Sequence, residues 1–201
     1  MEHVNLFLPE IFLAVSILAT LMAGVFLKNS YTLVTNITYG IIITLILIIF
    51  NSFSESFKLF SDSFTSNSFT NFFKILILIG TFFIILITQN FIKETKINYF
   101  EYSVVLLLSV LGMFIMVSAN DLILFYLGLE LQSLSLYILA SLDRDNLKSN
   151  ESGLKYFILS SLASGLLLYG CSLLYGFSGS TNFEIISLNA NIENIGTVFA
   201  M

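Results

Sequence analysis

Six stretches of this chain are long, apolar and almost free of charge, and a helix needs ~20 such residues to cross ~30 Å of hydrocarbon. They run over Leu6–Leu27, Thr32–Phe50, Lys74–Ile92, Tyr102–Ala119, Leu122–Leu142 and Leu154–Phe177. Lipid offers no hydrogen-bond partner to an exposed peptide group, so each stretch is predicted to be helical. A seventh apolar segment starts near Ile195, and the chain stops at Met201, which reads as an interruption of a longer bundle. The expected fold class is therefore all-α integral membrane, with six complete spans and the start of a seventh.

Composition closes off the soluble alternatives. Hydrophobic residues make up 57% and charged residues 10% of the 201, against the ~25% charge of an ordinary globular domain. Eight Lys and Arg in all leave no basic patch for a nucleic acid. The single Cys171 and the single His3 exclude a disulfide framework, a Cys-based metal site and a His-ligated metal or haem. With no glycine-rich phosphate loop and no nucleophile–base set, no cofactor is expected in this chain. Abundant Phe, Ile, Asn, Ser and Lys beside one Pro and no Trp point to an AT-rich genome, of an organelle or a compact bacterium.

Loop charges set the orientation expected in the membrane. With the N-terminus outside, the inner loops and flanks hold Lys28, Lys93, Lys96, Arg144, Lys148 and Lys155, and the outer ones hold Lys58 and Lys74. The connector 51–73 places Phe53, Phe57, Phe60 and Phe64 at helical spacing among polar residues. It reads equally as an amphipathic helix at the outer interface and as a Ser-rich connector whose Phe residues dip into lipid. Between spans five and six, Ser149 or Asn150 can cap the next helix, with Glu151 in its first turn. The polar stretch Ser178–Asn194 is expected to be an external loop.

Chemistry is sought among charges inside the spans, because an ionisable group in hydrocarbon is costly and commonly functional. Glu130 stands out. It lies in Leu127-Gly128-Leu129-Glu130-Leu131-Gln132-Ser133-Leu134, ~12 Å below the start of span five at the helical rise. A lone carboxylate there costs about 2.5–3.5 kcal/mol on insertion scales, so it must be protonated, hydrated or paired. A helix–helix hydrogen bond with no transport role is the bland alternative. Lys155, in Gly153-Leu154-Lys155-Tyr156-Phe157, either snorkels to the headgroups or biases proton affinity along a polar route; its depth puts a direct bridge to Glu130 out of reach. Gln132, Ser133 and Ser135 extend a polar face with Glu130 or serve as packing contacts. Ser160, Ser161, Ala163, Ser164 and Gly165 form a small-residue stretch suited to close helix packing. Glu10 is explained by an interfacial position, Asp121 by a helix N-terminus, Met113 and Met116 by packing, and Cys171 by burial.

The block Ser118-Ala119-Asn120-Asp121-Leu122, then Tyr126-Leu127-Gly128-Leu129-Glu130-Leu131-Gln132-Ser133-Leu134, resembles subunit 2 of respiratory complex I, the bacterial N subunit. The resemblance continues through Gly153-Leu154-Lys155-Tyr156-Phe157, Ala163-Ser164-Gly165, Leu168-Tyr169-Gly170 and Leu174-Tyr175-Gly176 to Gly179-Ser180-Thr181. It is dense from about Glu101 to Phe183; upstream only Leu8-Pro9-Glu10 is familiar. This family groups antiporter-like subunits, built as inverted repeats, in a proton-pumping membrane arm.

The resemblance implies that Glu130 is the key acid of the fifth helix and Lys155 a family lysine at the start of the sixth, both in proton transfer. The principal pumping lysines of the family lie on its seventh, eighth and twelfth helices and have no counterpart here. Residues 1–100 would be an N-terminal three-helix segment carrying the outer loop 51–73, and 101–201 the beginning of the proton-translocation repeat. The implied role is a membrane-arm subunit of the proton-translocating NADH:ubiquinone reductase, without a redox centre of its own. Its partners would be the other membrane-arm subunits, a separate C-terminal half and lipid. The implied compartment is the mitochondrial inner membrane first and the bacterial inner membrane second. A subunit of a cation/proton antiporter and a non-catalytic membrane scaffold are the competing readings.

Overall fold

A computed structural model describes residues 7–26, 30–53, 56–95 and 100–189. Its elements are α1 (Leu8–Phe26), α2 (Ser30–Asn51), β1 (Phe57–Leu59), β2 (Phe64–Ser66), α3 (Ser68–Thr95), α4 (Glu101–Ser118), α5 (Leu122–Ala140), α6 (Leu147–Ser178) and α7 (Phe183–Asn189). Helices α1 to α6 are each long and apolar enough to cross a membrane, so the chain is an α-helical integral membrane protein with six spans among the described residues. The expected seventh span near Ile195, together with His3, Lys28, Lys93 and Lys96, lies outside what the structure describes, residue or side chain.

The helices run alternately up and down, so one end of the bundle gathers the β-hairpin, the α4–α5 turn and α7. The other end gathers the α5–α6 turn and the start of α4. Helix α4 is central: it packs on α1, α3 and α5, and buries Leu107, Val110 and Phe114 completely. Around it, Leu13 of α1, Val34, Ile42 and Leu45 of α2, and Leu78 and Ile85 of α3 close one apolar core. Helix α6 is the opposite case. Its main contacts among the described residues are with α5 and α7, and most of its apolar side chains stay open, ready for lipid or further helices.

The connector 51–73 is neither an interfacial helix nor a loose loop. It folds into an antiparallel hairpin with Phe57 opposite Ser66, Lys58 opposite Thr65 and Leu59 opposite Phe64. Phe60, Ser61 and Asp62 turn the chain with φ of 54°, 55° and 69°, a left-handed run that non-glycine residues adopt at a cost. Contacts made only in this shape offset that cost. Phe64 is buried and meets the Phe7 ring edge-on at 5.0 Å, and Asn120 donates from its backbone to Ser63 and from Nδ2 to the Asp62 carbonyl. A helix would have laid Phe57, Phe60 and Phe64 along one side; the hairpin instead drives Phe64 inward and leaves Phe60 exposed.

Two other local expectations shift. Helix α6 begins about two turns before the apolar pattern, because Asn146 is its cap and accepts from the Lys148 amide at 3.0 Å. Ser149 and Asn150 instead tie the preceding turn, donating to the carbonyls of Ala140 and Arg144. The stretch after α6 is not loop throughout: a left-handed Gly179 ends α6, and α7 follows at once.

Asp121 joins these pieces. Its carboxylate caps α5 by accepting from the Ile123 amide at 2.8 Å and also accepts from the Thr181 hydroxyl, while the Leu122 amide donates to the Thr181 carbonyl at 2.9 Å. Asp121→Ala is expected to cost roughly 1–3 kcal/mol, from one lost cap and one lost charge-assisted hydrogen bond. Asp121→Asn should keep most of that stability, because an amide oxygen also caps. Thermal unfolding in detergent, read by differential scanning fluorimetry, checks the order wild type, Asn, Ala.

Candidate functional site

Glu130 sits in the middle third of α5, where the α4–α5 crossing decides which way it faces. Gly112 and Gly128 lie in that crossing with their backbones in contact. A Cβ added at Gly112 would come within 2.6 Å of the Gln132 backbone nitrogen, and one at Gly128 within 2.8 Å of the Met116 backbone nitrogen. Residues two apart on a helix point ~200° away from each other. With Gly128 pressed on α4, Glu130 is therefore directed away from it, towards the α6 side.

There the carboxylate is half-buried, and its Oε1 is enclosed without a hydrogen-bond donor. Tyr126, one turn earlier on the same face, interacts with Glu130 and with Ser164 of α6. Ser164 thus belongs to the surroundings of the acid as well as to the small-residue stretch of α6. The neighbouring serines do not prolong this polar spot. Ser133 donates to the Glu130 carbonyl at 3.0 Å and Ser135 to the Leu131 carbonyl at 2.8 Å, both on their own helix. The arrangement offers one mid-membrane carboxylate, a phenol beside it, and an oxygen open to a proton or to a donor from another helix.

Lys155 is not brought to Glu130. It stands on the exposed face of α6 and pairs with Glu151, one turn before it, at 2.6 Å. Arg144 reaches Glu101 at 3.6 Å at the same end of the bundle. Gly153 packs on Ser141 at the end of α5, so Lys155, two residues further on, is directed away from α5; the lysine and the acid stand apart in depth and in direction.

The structure reveals a second pair of charges that sequence reasoning missed. Glu10 of α1 and Lys74 of α3 lie 2.6 Å apart, each with 2% of its side chain exposed. Glu10 is therefore no interfacial group, and Lys74 no loop charge. Helix α3 starts at Ser68, so Lys74 is more than a turn inside it. A signal was present: a Lys preceded by Phe72 and Phe73 and followed by Ile75 and Leu76 sits within an apolar run, and an opposite charge waits inside another. Among the described residues no group of three or more His, Cys, Asp or Glu side chains could hold a metal ion.

Up-and-down helices around an intramembrane carboxylate define a class. Residues 119–201 match the transmembrane domain family of NADH:quinone oxidoreductase and Mrp antiporters, and the bundle has an antiporter-like membrane fold. Along its whole length it is a homologue of NADH-quinone oxidoreductase subunit N. The protein of that name from Pelagibacter ubique is 50% identical over 100% of this chain and 43% of its own length. Respiratory complex I from Thermus thermophilus contains a chain that superposes with a TM-score of 0.78 at 26% identity, over 96% of this chain and 41% of that one. A chain of the Mrp complex from a Dietzia species shares the fold, with a TM-score of 0.72 at 21% identity over 96% of this chain and 38% of that one. The chain thus spans about two fifths of the length of the curated relatives it matches.

The glycine crossing yields a sharp expectation. Gly128→Val places branched carbons against the Met116 backbone, where nothing flexible can yield. Helices α4 and α5 must separate, at a cost of roughly 1–3 kcal/mol or more. A lower unfolding temperature, together with faster labelling of a cysteine introduced at Met116 by a membrane-permeant maleimide, would show it; unchanged labelling would mean that the helices do not touch there.

Proposed function

We propose that this chain forms part of a proton-translocating membrane-arm subunit of NADH–quinone oxidoreductase, with Glu130 as its proton-carrying group. The observation that carries the reading is the position of Glu130: mid-span, turned from α4 by the glycine crossing, with one oxygen enclosed and undonated. Similarity to subunit N along the whole of this chain supports it.

Chemically, the step is small. A proton binding at Oε1 neutralises the carboxylate and removes the cost of a charge in hydrocarbon; a cation approaching from the uncovered α5–α6 side favours the ionised form again. Lys155 is assigned to the inner end of the route, as a positive group near the start of α6 that pairs with Glu151. Redox chemistry belongs to other subunits in this reading, and the chain is an enzyme only as part of the NADH:ubiquinone reductase assembly. Its partners are then the other membrane-arm subunits, further helices of subunit N itself, and lipid. We place the divide between the N-terminal three-helix segment and the proton-translocation repeat near residue 100.

A bacterial inner membrane fits better than a mitochondrial one, since the relatives described above are bacterial. With Lys74 buried in its ion pair, Lys58 is the one basic residue outside hydrocarbon at the hairpin end among the described residues. That favours the hairpin end, and the N-terminus with it, on the outer side.

The test is proton uptake per NADH oxidised in inverted membrane vesicles containing the assembled complex. Glu130→Gln keeps the shape but cannot ionise, and is expected to lower the proton-to-electron ratio severalfold while leaving assembly intact on native gels. Glu130→Asp should restore part of it. Wild-type pumping by the Gln variant would sink the role given to this residue.

A further inference from the structure

The Glu10–Lys74 pair lies outside the route assigned to Glu130, on helices of the N-terminal segment. We propose that it is a second proton-exchanging site of this protein, which takes and releases one hydrated proton at Glu10 Oε2. The inference rests on the proton-translocating reading above and adds a site to it.

The geometry of the pair is unequal in an informative way. A buried ion pair whose task is only to hold two helices together does best with every oxygen and every N–H satisfied, because a charged atom left alone in a low dielectric is costly. Here Glu10 Oε1 meets Lys74 Nζ at 2.6 Å, while Oε2 is enclosed and has no donor. The ammonium has what the carboxylate lacks. Nζ lies 5.4 Å from the centre of the Phe64 ring, supplied by the hairpin, and 5.9 Å from that of Phe114, supplied by α4. Both distances are within cation–π range.

Those two rings can hold a lysine cation when its carboxylate partner is neutral, and the free oxygen is where neutralisation can occur. On proton entry an O–H bond forms at Oε2, Glu10 becomes a neutral acid, and Lys74 keeps its three hydrogens against the ring faces. On release that O–H bond breaks, the proton returns to water, and the full ion pair with Oε1 is restored. No electrons change hands, and hydronium from water is the sole reactant. Ser118, one turn beyond Phe114 on α4, keeps a buried and unpartnered hydroxyl at the same end of the bundle.

The experiment uses vesicles with the complete complex and three variants. Glu10→Leu/Lys74→Met removes both charges and keeps the volume, so it avoids the unpaired charge that either single change would leave. If the pair exchanges protons, this double variant assembles and oxidises NADH, yet its proton-to-electron ratio falls below wild type. A carboxylic-acid C=O band in the infrared difference between NADH-energised and resting membranes should vanish with it. If it assembles and pumps as wild type with the band unchanged, the pair is structural and the proposal is overturned. Phe64→Leu, which keeps both charges and replaces one ring, decides the matter if the double variant does not assemble: a reduced ratio supports the site, and an unchanged one overturns it. Glu130→Gln in parallel separates the two readings. Pumping lost there but intact in the Glu10/Lys74 variant overturns the second site alone, and pumping intact in both overturns the two together.

Discussion

A peptide group in hydrocarbon has no water to turn to, and this constraint governs everything else in the bundle. It makes six segments helical whatever their side-chain pattern. It moves the irregular backbone to the two ends, where the hairpin, the α4–α5 turn and the α6–α7 junction satisfy one another. Asn120 and Asp121 show how closely that end is knitted: between them they bind the hairpin turn at Asp62 and Ser63, the α5 N-terminus and Thr181. With the backbone settled, helix association depends on packing alone, since lipid tails are as apolar as the side chains. That is why two glycines, Gly112 and Gly128, decide how closely α4 and α5 meet.

The two carboxylates inside the bundle are handled in contrasting ways. Glu10 is matched at once by Lys74, under the Phe64 roof, in the best-covered part of the fold. Glu130 has a phenol and a hydroxyl near it but no ion-pair partner among the described residues, on a side where α5 and α6 are open. A charge that is matched can stay; one that is unmatched must change its protonation or find a partner. The openness of α6 belongs to the same picture, since a helix whose apolar faces are almost all uncovered makes sense in lipid or beneath further helices. The relatives, more than twice as long as this chain, carry additional sequence that could cover it.

Six spans, the membrane class and the separation of Lys155 from Glu130 were legible in the residues, because run length and isolated charge are properties of the linear chain. Local boundaries were less so: the start of α6 was set by Asn146, a polar residue outside the apolar pattern. What only the tertiary structure decided were the relations between distant segments. The Phe spacing of 57–64 fits a helix until Asn120 and the slot beside Lys74 are brought within reach, and then a strained hairpin wins. Glu10 and Lys74, 64 residues apart, each look like an ordinary interfacial charge until α1 and α3 are laid side by side. An apolar run announces that it will be buried in something, but a pairing between two such runs is written in no single segment, because it arises from distances that exist only after the helices have packed.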